Sequence, residues 1–243
     1  MSETEKLLRE IVKDADSRYE LWISFLRSVN VKTMVELGVF KGNFAGQILR
    51  CCNSVEKYYM LDPWRHLQDW NKPANKSDQT FEQIFAQAKA TTDFAAEKRI
   101  ILRGKTTEVI ENIADGELDF AYIDGDHTLR GIAIDLMRVY QKVKVGGWIG
   151  GDDFSKTIWQ HATKFEPTFV FPFAVYFAEA VGDRIFALPN SQFLIEKSAS
   201  EVFEFIDLTE SYGDVGLKEQ LRMGNVFKVW LAEALPVFKK KNR

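Results

Sequence analysis

The sequence contains few residues that would tie the chain to an oxidising compartment or to a membrane. Its two cysteines, Cys51 and Cys52, are adjacent and so cannot form the disulfide framework of a small secreted domain. The opening segment MSETEKLLRE is too highly charged for a signal peptide. The most apolar stretch, residues 169–181, is interrupted by Pro172 and Glu179 and is shorter than the ~20 residues of a membrane-spanning helix. We therefore expect a cytoplasmic protein with free thiols and no membrane partner.

The chain also lacks an excess of charge of either sign. It has 32 lysine and arginine residues against 35 aspartate and glutamate residues, which gives a net charge of -3. Binding to the phosphates of nucleic acids depends on a surplus of basic residues, so we expect no nucleic-acid partner. The closing lysines, residues 239–241, are interpreted as a solvated tail. The 243 residues are enough to bury a core without disulfides.

Short apolar runs alternate with helical segments between residues 32 and 197. Strands separated by helices of this length form a largely parallel sheet with right-handed crossovers. Only residues 189–191 separate the last two runs, which favours an antiparallel hairpin. The pattern predicts a doubly wound α/β fold with a mostly parallel, seven-stranded sheet and a C-terminal antiparallel hairpin. The predicted strands are Thr33–Leu37, Lys57–Leu61, Ile100–Leu102, Leu118–Ile123, Gly147–Gly150, Arg184–Leu188 and Gln192–Glu196.

Helices are predicted between the strands and at both ends of the chain. Those between the strands are Asn43–Cys51, Thr80–Thr91, Thr106–Ile113 and Leu129–Val143. Apolar residues recur at helical spacing near the N-terminus, so residues 1–31 are predicted to be a helical extension. Residues 32–197 are the predicted α/β domain, and residues 198–243 a C-terminal helical extension. The C-terminal extension could cover the site, form a homo-oligomer contact or pack on the domain, and these alternatives stay open.

A glycine-containing turn follows the first predicted strand, in the segment VELGVFKGN at residues 35–43. Ligands of open parallel sheets bind beyond the carboxyl ends of the strands, where Gly38 allows a tight turn and Gly42 opens the next helix. Phe40 stands where a dinucleotide-binding motif has its second glycine, and no P-loop sequence follows. Glu36 would repel a pyrophosphate and suits a cationic ligand. The alternative is an ordinary strand–helix turn with an exposed glutamate.

Asp62 lies at the end of the second apolar run, 26 positions after Glu36. An acidic residue at about this distance beyond a glycine turn commonly accepts hydrogen bonds from ribose hydroxyls. Together with the glycine turn, it predicts a nucleoside-binding site. The alternative is an aspartate that caps a turn or a helix, which Pro63 favours.

Acidic residues cluster after two later strands. Asp124, Asp126 and His127 follow the strand at 118–123, and Asp152 and Asp153 follow the next strand. Adjacent parallel strands would bring these carboxylates together, where they repel one another unless a cation is present. Hard oxygen ligands suit Mg²⁺, Mn²⁺ or Ca²⁺. The alternative is a set of aspartates that cap helices and turns without a metal. His127 is the best candidate for a general base, unless it is a loop histidine without a role.

Together these residues resemble the class I S-adenosylmethionine-dependent methyltransferases over residues 32–197. The segments IDGDH and VGGWIGGDD are similar to those of bacterial macrolide-sugar and related small-molecule O-methyltransferases. The resemblance implies a Rossmann-like methyltransferase fold and S-adenosylmethionine as the methyl donor, whose sulfonium and amino groups are cationic. It also implies a small-molecule hydroxyl as the acceptor and Mg²⁺ or another divalent cation as an aid.

The resemblance assigns roles to residues that match the motifs of that family. The residues implied to bind S-adenosylmethionine are Glu36, Gly38, Val39, Gly42, Asp62, Gly104, Thr106 and Asp124. The implied metal ligands are Asp124, Asp152 and Asp153. His127 stands where catechol-type enzymes carry a lysine base, so His127 and Asp124 are the implied catalytic residues. Lys105 takes the place of an acid that the family often has between Gly104 and Thr106.

We therefore expect an O-methyltransferase that acts on a sugar, a phenol or a natural-product intermediate, with help from a divalent metal. Acceptor specificity is expected from the N-terminal helices, from residues 65–78 and from the aromatic-rich residues 165–177, although such rings more often belong to the core. Two alternatives stay open. One is a metal-independent enzyme that methylates nitrogen or a carboxylate. The other is a non-catalytic subunit that binds S-adenosylmethionine or serves in assembly.

Overall fold

A computed structural model of the chain describes residues 1–199 and 202–213. Its strands are β1 (Thr33–Leu37), β2 (Lys57–Asp62), β3 (Arg99–Arg103), β4 (Leu118–Ile123), β5 (Val143–Gly151), β6 (Arg184–Leu188), β7 (Gln192–Glu196) and β8 (Glu204–Asp207). They form one sheet in the order β3-β2-β1-β4-β5-β7-β6-β8. Strands β1 to β5 pair in parallel with one another, whereas β7 is antiparallel to both β5 and β6.

The described residues also form seven α-helices. They are α1 (Glu3–Asp14), α2 (Arg18–Ser28), α3 (Asn43–Cys51), α4 (Asp78–Thr91), α5 (Thr106–Val109), α6 (Leu129–Lys142) and α7 (Val170–Val181). Helices α1 to α4 pack in one core cluster, and α6 and α7 pack in the other. Within this part of the chain, no helix has the length and hydropathy needed to cross a bilayer. The cytoplasmic location stays a prediction.

The alternation of side chains along the central strands explains why helices cover both faces of the sheet. In β1, Met34 packs with residues of α2 and α3, whereas Val35 and Leu37 pack with residues of α6 and α7. Successive side chains of a strand point to opposite faces, so a strand covered on both sides is an almost continuous apolar run. Glu36 is the one charged residue of β1, and it is nevertheless only 1% exposed.

The predicted mostly parallel sheet with its C-terminal antiparallel hairpin is confirmed. The structure adds an eighth strand, β8, which pairs in parallel with β6 and extends the sheet beyond residue 197. This strand is four residues long, and only Ile206 in it is buried, so its apolar pattern is too short to predict a strand. The apolar residues 217–235, for which helices are predicted, lie outside the described residues.

The N-terminal helix α2 is part of the core rather than an appendage. Trp22 is fully buried, and its ring lies 5.3 Å from that of Phe120 and 5.6 Å from that of Tyr122. Its indole Nε1 donates a hydrogen bond of 2.7 Å to Gln192 Oε1 in β7. A Cβ at Gly150 would lie 2.4 Å from the Trp22 ring, so glycine in β5 makes room for this side chain.

Replacing Trp22 by alanine should lower the free energy of unfolding by about 3–5 kcal/mol, because the change leaves a large cavity between α2 and the sheet. Urea unfolding followed by circular dichroism measures this difference. Tyr176→Ala is the matched control, since Tyr176 is 64% exposed, and it should change stability by less than about 0.5 kcal/mol. Equal effects of the two substitutions would show that α2 does not contribute to the core.

Candidate active site

A cavity of about 810 Å³ opens at the carboxyl ends of the parallel strands. Open α/β sheets bind ligands at this edge, where the strand order reverses. The order reverses here between β1 and β4. Of the residues implied to bind the methyl donor, six line the cavity: Glu36, Gly38, Val39, Asp62, Thr106 and Asp124. Gly42 and Gly104 are not among the lining residues, and Gly42 begins α3 in the left-handed conformation.

Gly38 brings the ends of β1 and β4 into backbone contact. Its φ is +89°, and a Cβ at this position would lie 2.1 Å from the carbonyl oxygen of Asp124. The Gly38 N–H donates to Leu61 O at 2.9 Å, and the Asp124 N–H donates to Leu37 O at 2.8 Å. No residue with a side chain fits there without moving the backbone. The predicted tight turn is therefore a structural requirement of the cavity wall.

Asp62 holds the turn that follows β2 and also lines the cavity. Its two carboxylate oxygens accept hydrogen bonds from the N–H groups of Phe40 at 2.9 Å and Trp64 at 2.7 Å. Both of these residues have positive φ, at 50° and 41°, a conformation that side chains disfavour and that clusters at functional sites. Burial raises the pKa of Asp62, and these backbone hydrogen bonds oppose the rise. The structure thus shows the turn-capping contacts, and the ribose contact stays a prediction.

Glu36 is a buried carboxyl group that faces the cavity. The Tyr58 hydroxyl donates a hydrogen bond of 2.7 Å to its Oε2. Burial raises the pKa of Glu36 well above its ordinary value, although this hydrogen bond opposes the rise. A positive group in the cavity would stabilise the charged form.

A second buried carboxyl group, Asp135 of α6, was not predicted as a site residue. The Thr106 hydroxyl donates a hydrogen bond of 2.6 Å to Asp135 Oδ1, and both residues line the cavity. Burial raises the pKa of Asp135 to about 7. The one sequence signal is a lone acidic residue on the apolar face of α6, beside Ile132, Leu136 and Val139. Close packing also limits Gly104, the residue that follows β3. A Cβ there would lie 2.5 Å from a methyl group of Val109.

Asp135→Asn should stabilise the protein above about pH 7. The carboxyl binds its proton more tightly in the folded chain than in the unfolded chain, so folding is penalised increasingly as the pH rises from about 4 to about 7. A shift from 3.8 to about 7 corresponds to at most about 4 kcal/mol. Urea unfolding at pH 4 and pH 8 measures the gain in the free energy of unfolding of Asp135→Asn over the wild type. This gain should be near zero at pH 4. The exposed Asp14→Asn is the control, and a gain independent of pH would contradict the assignment.

Asp124, His127 and Asp153 converge in the cavity. One ligand atom from each lies within 4.8 Å of the others, as a bound metal ion would require. His127 Nδ1 contacts Asp153 Oδ2, and its Nε2 lies 3.6 Å from Asp124 Oδ1. Burial disfavours the charged imidazole, but the two carboxylates outweigh it and raise the pKa of His127 to about 10. The same contact holds the pKa of Asp153 below its ordinary value, although burial opposes this.

Asp152, the remaining predicted ligand, lies behind this cluster. Its Oδ1 accepts hydrogen bonds from Gln192 Nε2 at 2.6 Å and from the Asp153 N–H at 2.8 Å. Its Oδ2 contacts the guanidinium of Arg18, whose Nη1 also lies 3.2 Å from Asp124 Oδ2. The structure thus brings together two of the three predicted metal ligands, with His127 as the third member. No local motif marks Arg18 or Gln192, because they reach the site from distant parts of the chain.

Three segments that join strands to helices, those after β2, β4 and β5, contact one another at the cavity. Trp70 Nε1 donates a hydrogen bond of 3.0 Å to Asp126 Oδ1. The buried ammonium of Lys72 donates to the carbonyl oxygens of Glu166 at 2.8 Å and Pro167 at 3.2 Å. The phenylalanine residues of α7, Phe171, Phe173 and Phe177, instead pack against the core, and the rings of Phe171 and Phe154 are 5.0 Å apart.

Solved structures of methyltransferases have the same fold as this chain. The O-methyltransferase TomG from Streptomyces achromogenes, involved in tomaymycin synthesis and solved in complex with SAM, is 11% identical, with 82% of this chain and 91% of TomG covered and a TM-score of 0.53. The SAH-bound methyltransferase PaMTH1 from Podospora anserina is 13% identical, with 82% and 89% covered and a TM-score of 0.53. The O-methyltransferase NovP is 17% identical, with 80% and 79% covered and a TM-score of 0.50. At such identities the likeness shows the fold, which is the predicted Rossmann-like methyltransferase fold.

The sequence of the central part of the chain also matches methyltransferases. Residues 35–154 match the profile of a family described as a methyltransferase domain, and this segment contains the glycine turn, Asp62 and the acidic residues after β4 and β5. The chain therefore contains a methyltransferase domain, as its sequence predicts. None of the curated protein sequences compared with the chain matches it.

Proposed function

We propose that this methyltransferase transfers the methyl group of S-adenosylmethionine to a hydroxyl of a small molecule, with a divalent cation such as Mg²⁺ held by Asp124 and Asp153. The observation that carries the proposal is the convergence of these carboxylates with His127 in the cavity that Glu36 and Asp62 also line. TomG and NovP are O-methyltransferases, which favours oxygen as the acceptor atom.

The residues around the glycine turn fit the methyl donor. Glu36 is buried with a neutral hydrogen-bond donor, Tyr58, so the ammonium group of the donor would stabilise its charge. The oxygens of Asp62 hold the turn, but each can accept a further hydrogen bond, here from a ribose hydroxyl. Gly38 leaves no side chain between the ligand and the strand ends.

The donor set of the cluster fits a hard divalent cation. Asp124 and Asp153 offer carboxylate oxygens that lie within 4.8 Å of each other, and His127 lies beside them as the proton acceptor. Metal–oxygen bonds of about 2.0–2.6 Å are compatible with that span. A cation held there would lower the pKa of an acceptor hydroxyl and orient it. In this proposal Asp152 does not bind the metal. It orients Asp153 by accepting a hydrogen bond from the Asp153 N–H.

The chain then has to position the reactants and accept a proton. A bond forms between the acceptor oxygen and the methyl carbon as the carbon–sulfur bond breaks, and S-adenosylhomocysteine leaves. The hydroxyl proton passes to His127. The pKa of about 10 keeps His127 protonated while it neutralises the two carboxylates alone. A divalent cation held by Asp124 and Asp153 would supply that positive charge instead, and His127 would then be free to accept the proton.

The size and cover of the cavity favour a small acceptor. Its volume of about 810 Å³ is within the roughly 300–1,000 Å³ of small-molecule sites. Trp70 and Lys72 line the cavity, and their hydrogen bonds to Asp126 and Glu166 join segments of its wall. The indole of Trp70 offers a face on which a sugar or a phenol could stack.

Asp153→Asn should weaken binding of Mn²⁺ by about tenfold or more, because a charged ligand becomes neutral. Isothermal titration with Mn²⁺ measures this effect, and titration with S-adenosylhomocysteine should give an unchanged affinity. Methyl transfer to a panel of catechols and sugars should fall roughly 100-fold. The exposed Asp69, which also lines the cavity, supplies the control Asp69→Asn. Unchanged Mn²⁺ affinity in Asp153→Asn would exclude this ligand set.

Asp62→Ala should weaken binding of S-adenosylhomocysteine about tenfold or more, because two ribose hydrogen bonds of about 1–1.5 kcal/mol each would be lost. Calorimetry measures the affinity, and the thermal midpoint shows whether the turn at Phe40 and Trp64 still folds. The same Asp69→Asn control should bind as the wild type does. If the wild-type chain gives no heat with S-adenosylhomocysteine, it is a non-catalytic subunit and the proposed reaction is wrong.

One observation favours a second candidate, a metal-independent methyltransferase that acts on nitrogen or a carboxylate. Arg18 and His127 already lie against the carboxylates of Asp124, Asp152 and Asp153. The cluster can therefore be neutralised by side chains alone. Methyl transfer that persists in excess chelator would support this candidate over the metal-assisted one.

A further inference from the structure

The guanidinium of Arg18 lies where the carboxylate cluster meets the N-terminal helices. Its Nη1 is 3.2 Å from Asp124 Oδ2 and also contacts Asp152 Oδ2. Asp124 thus takes part both in the contact with Arg18 and in the candidate metal site. The Arg18 side chain is 29% exposed and lines the same cavity as His127 and Asp153. An arginine of the N-terminal extension is thus a cation inside the site.

The packing of α2 fixes this arginine in place. Trp22, one turn further along α2, is buried and donates to Gln192 Oε1, and Gln192 Nε2 donates to Asp152 Oδ1. The Arg18 contact and these hydrogen bonds therefore close a ring between α2, β5 and β7. Both oxygens of Asp152 are occupied within the ring, so Asp152 is not free to turn towards a metal.

We infer that Arg18 is a built-in counter-cation that weakens the binding of a divalent metal ion at Asp124 and Asp153. It does so in two ways: it competes for Asp124, and it holds Asp152 away as a further ligand. A positive charge at a shared carboxylate repels a second cation strongly where solvent screening is reduced. The inference rests on the proposed function, because it concerns the metal site of that same reaction.

The test is the affinity of Mn²⁺ for the full-length protein, measured by calorimetry and by the loss of the free-ion electron paramagnetic resonance signal. The Mn²⁺ affinity of Arg18→Gln should be about tenfold higher than that of the wild type, or higher. Arg18→Lys keeps the positive charge and should stay within about threefold of the wild type. Arg27→Gln is the matched control, since Arg27 is exposed on the same helix and lies outside the cavity lining. Its Mn²⁺ affinity should not change.

Removal of Arg18 leaves neighbouring carboxylates without their partner, so Arg18→Gln could fail to fold. A second pair of variants avoids this problem: Asp152→Asn, and Asp152→Asn combined with Arg18→Gln. Amide groups then stand at 152 and 18, so Asp124 is the one carboxylate of this contact that loses its partner, and His127 still lies 3.6 Å from it. The double variant should bind Mn²⁺ several-fold more tightly than Asp152→Asn alone, because competition for Asp124 is removed. Thermal midpoints identify the folded variants.

The outcomes separate this inference from the proposed function. If the wild type binds Mn²⁺ and folded variants without Arg18 bind it no better, the inference is wrong and the metal site stands. If no variant binds Mn²⁺ while S-adenosylhomocysteine still binds, both the inference and metal assistance are wrong, and the metal-independent enzyme is favoured. Tighter Mn²⁺ binding in Arg18→Gln, with no change in Arg27→Gln, supports the inference.

Discussion

The backbone contact between the ends of β1 and β4 is the constraint on which the rest of the site depends. Because Gly38 has no side chain, its Cα can lie against the carbonyl of Asp124, and the Asp124 N–H reaches Leu37 O at 2.8 Å. The two strand ends are therefore level with each other. Glu36 on β1 and Asp124 after β4 consequently face one cavity at a fixed separation. Any Cβ at residue 38 would push these two carboxylates apart.

That arrangement concentrates negative charge, and the chain neutralises it unevenly. Asp153 has His127 against it, and Asp124 has Arg18. Glu36 has only the neutral hydroxyl of Tyr58, and burial raises its pKa well above the ordinary value. Of these three carboxylates, Glu36 therefore gains most from a cationic ligand. A methyl donor that carries its own ammonium group supplies charge where the chain does not, which is why the proposed donor fits this side of the cavity.

The sequence predicted what depends on local periodicity and on strand ends. Strands such as Thr33–Leu37 and Leu118–Ile123 have the predicted bounds, because a strand buried on both faces is a distinct apolar run. The cavity-lining positions of Glu36, Asp62 and Asp124 follow from the parallel sheet in the same way. Strand β8, at 204–207, shows the limit, since only one of its residues is buried.

Contacts between distant segments could not be predicted in this way, and they decide the chemistry of the cluster. Trp22 packs α2 against the sheet, which places Arg18 at the site, and Gln192 holds one oxygen of Asp152 while the other contacts Arg18. An adjacent pair of aspartates therefore divides between two roles: Asp153 faces the cavity, and Asp152 anchors the N-terminal helix. Arg18 and Gln192 contact the carboxylates but are not proposed metal ligands, so in the proposed site a change at position 18 would alter metal affinity while the ligands stay the same.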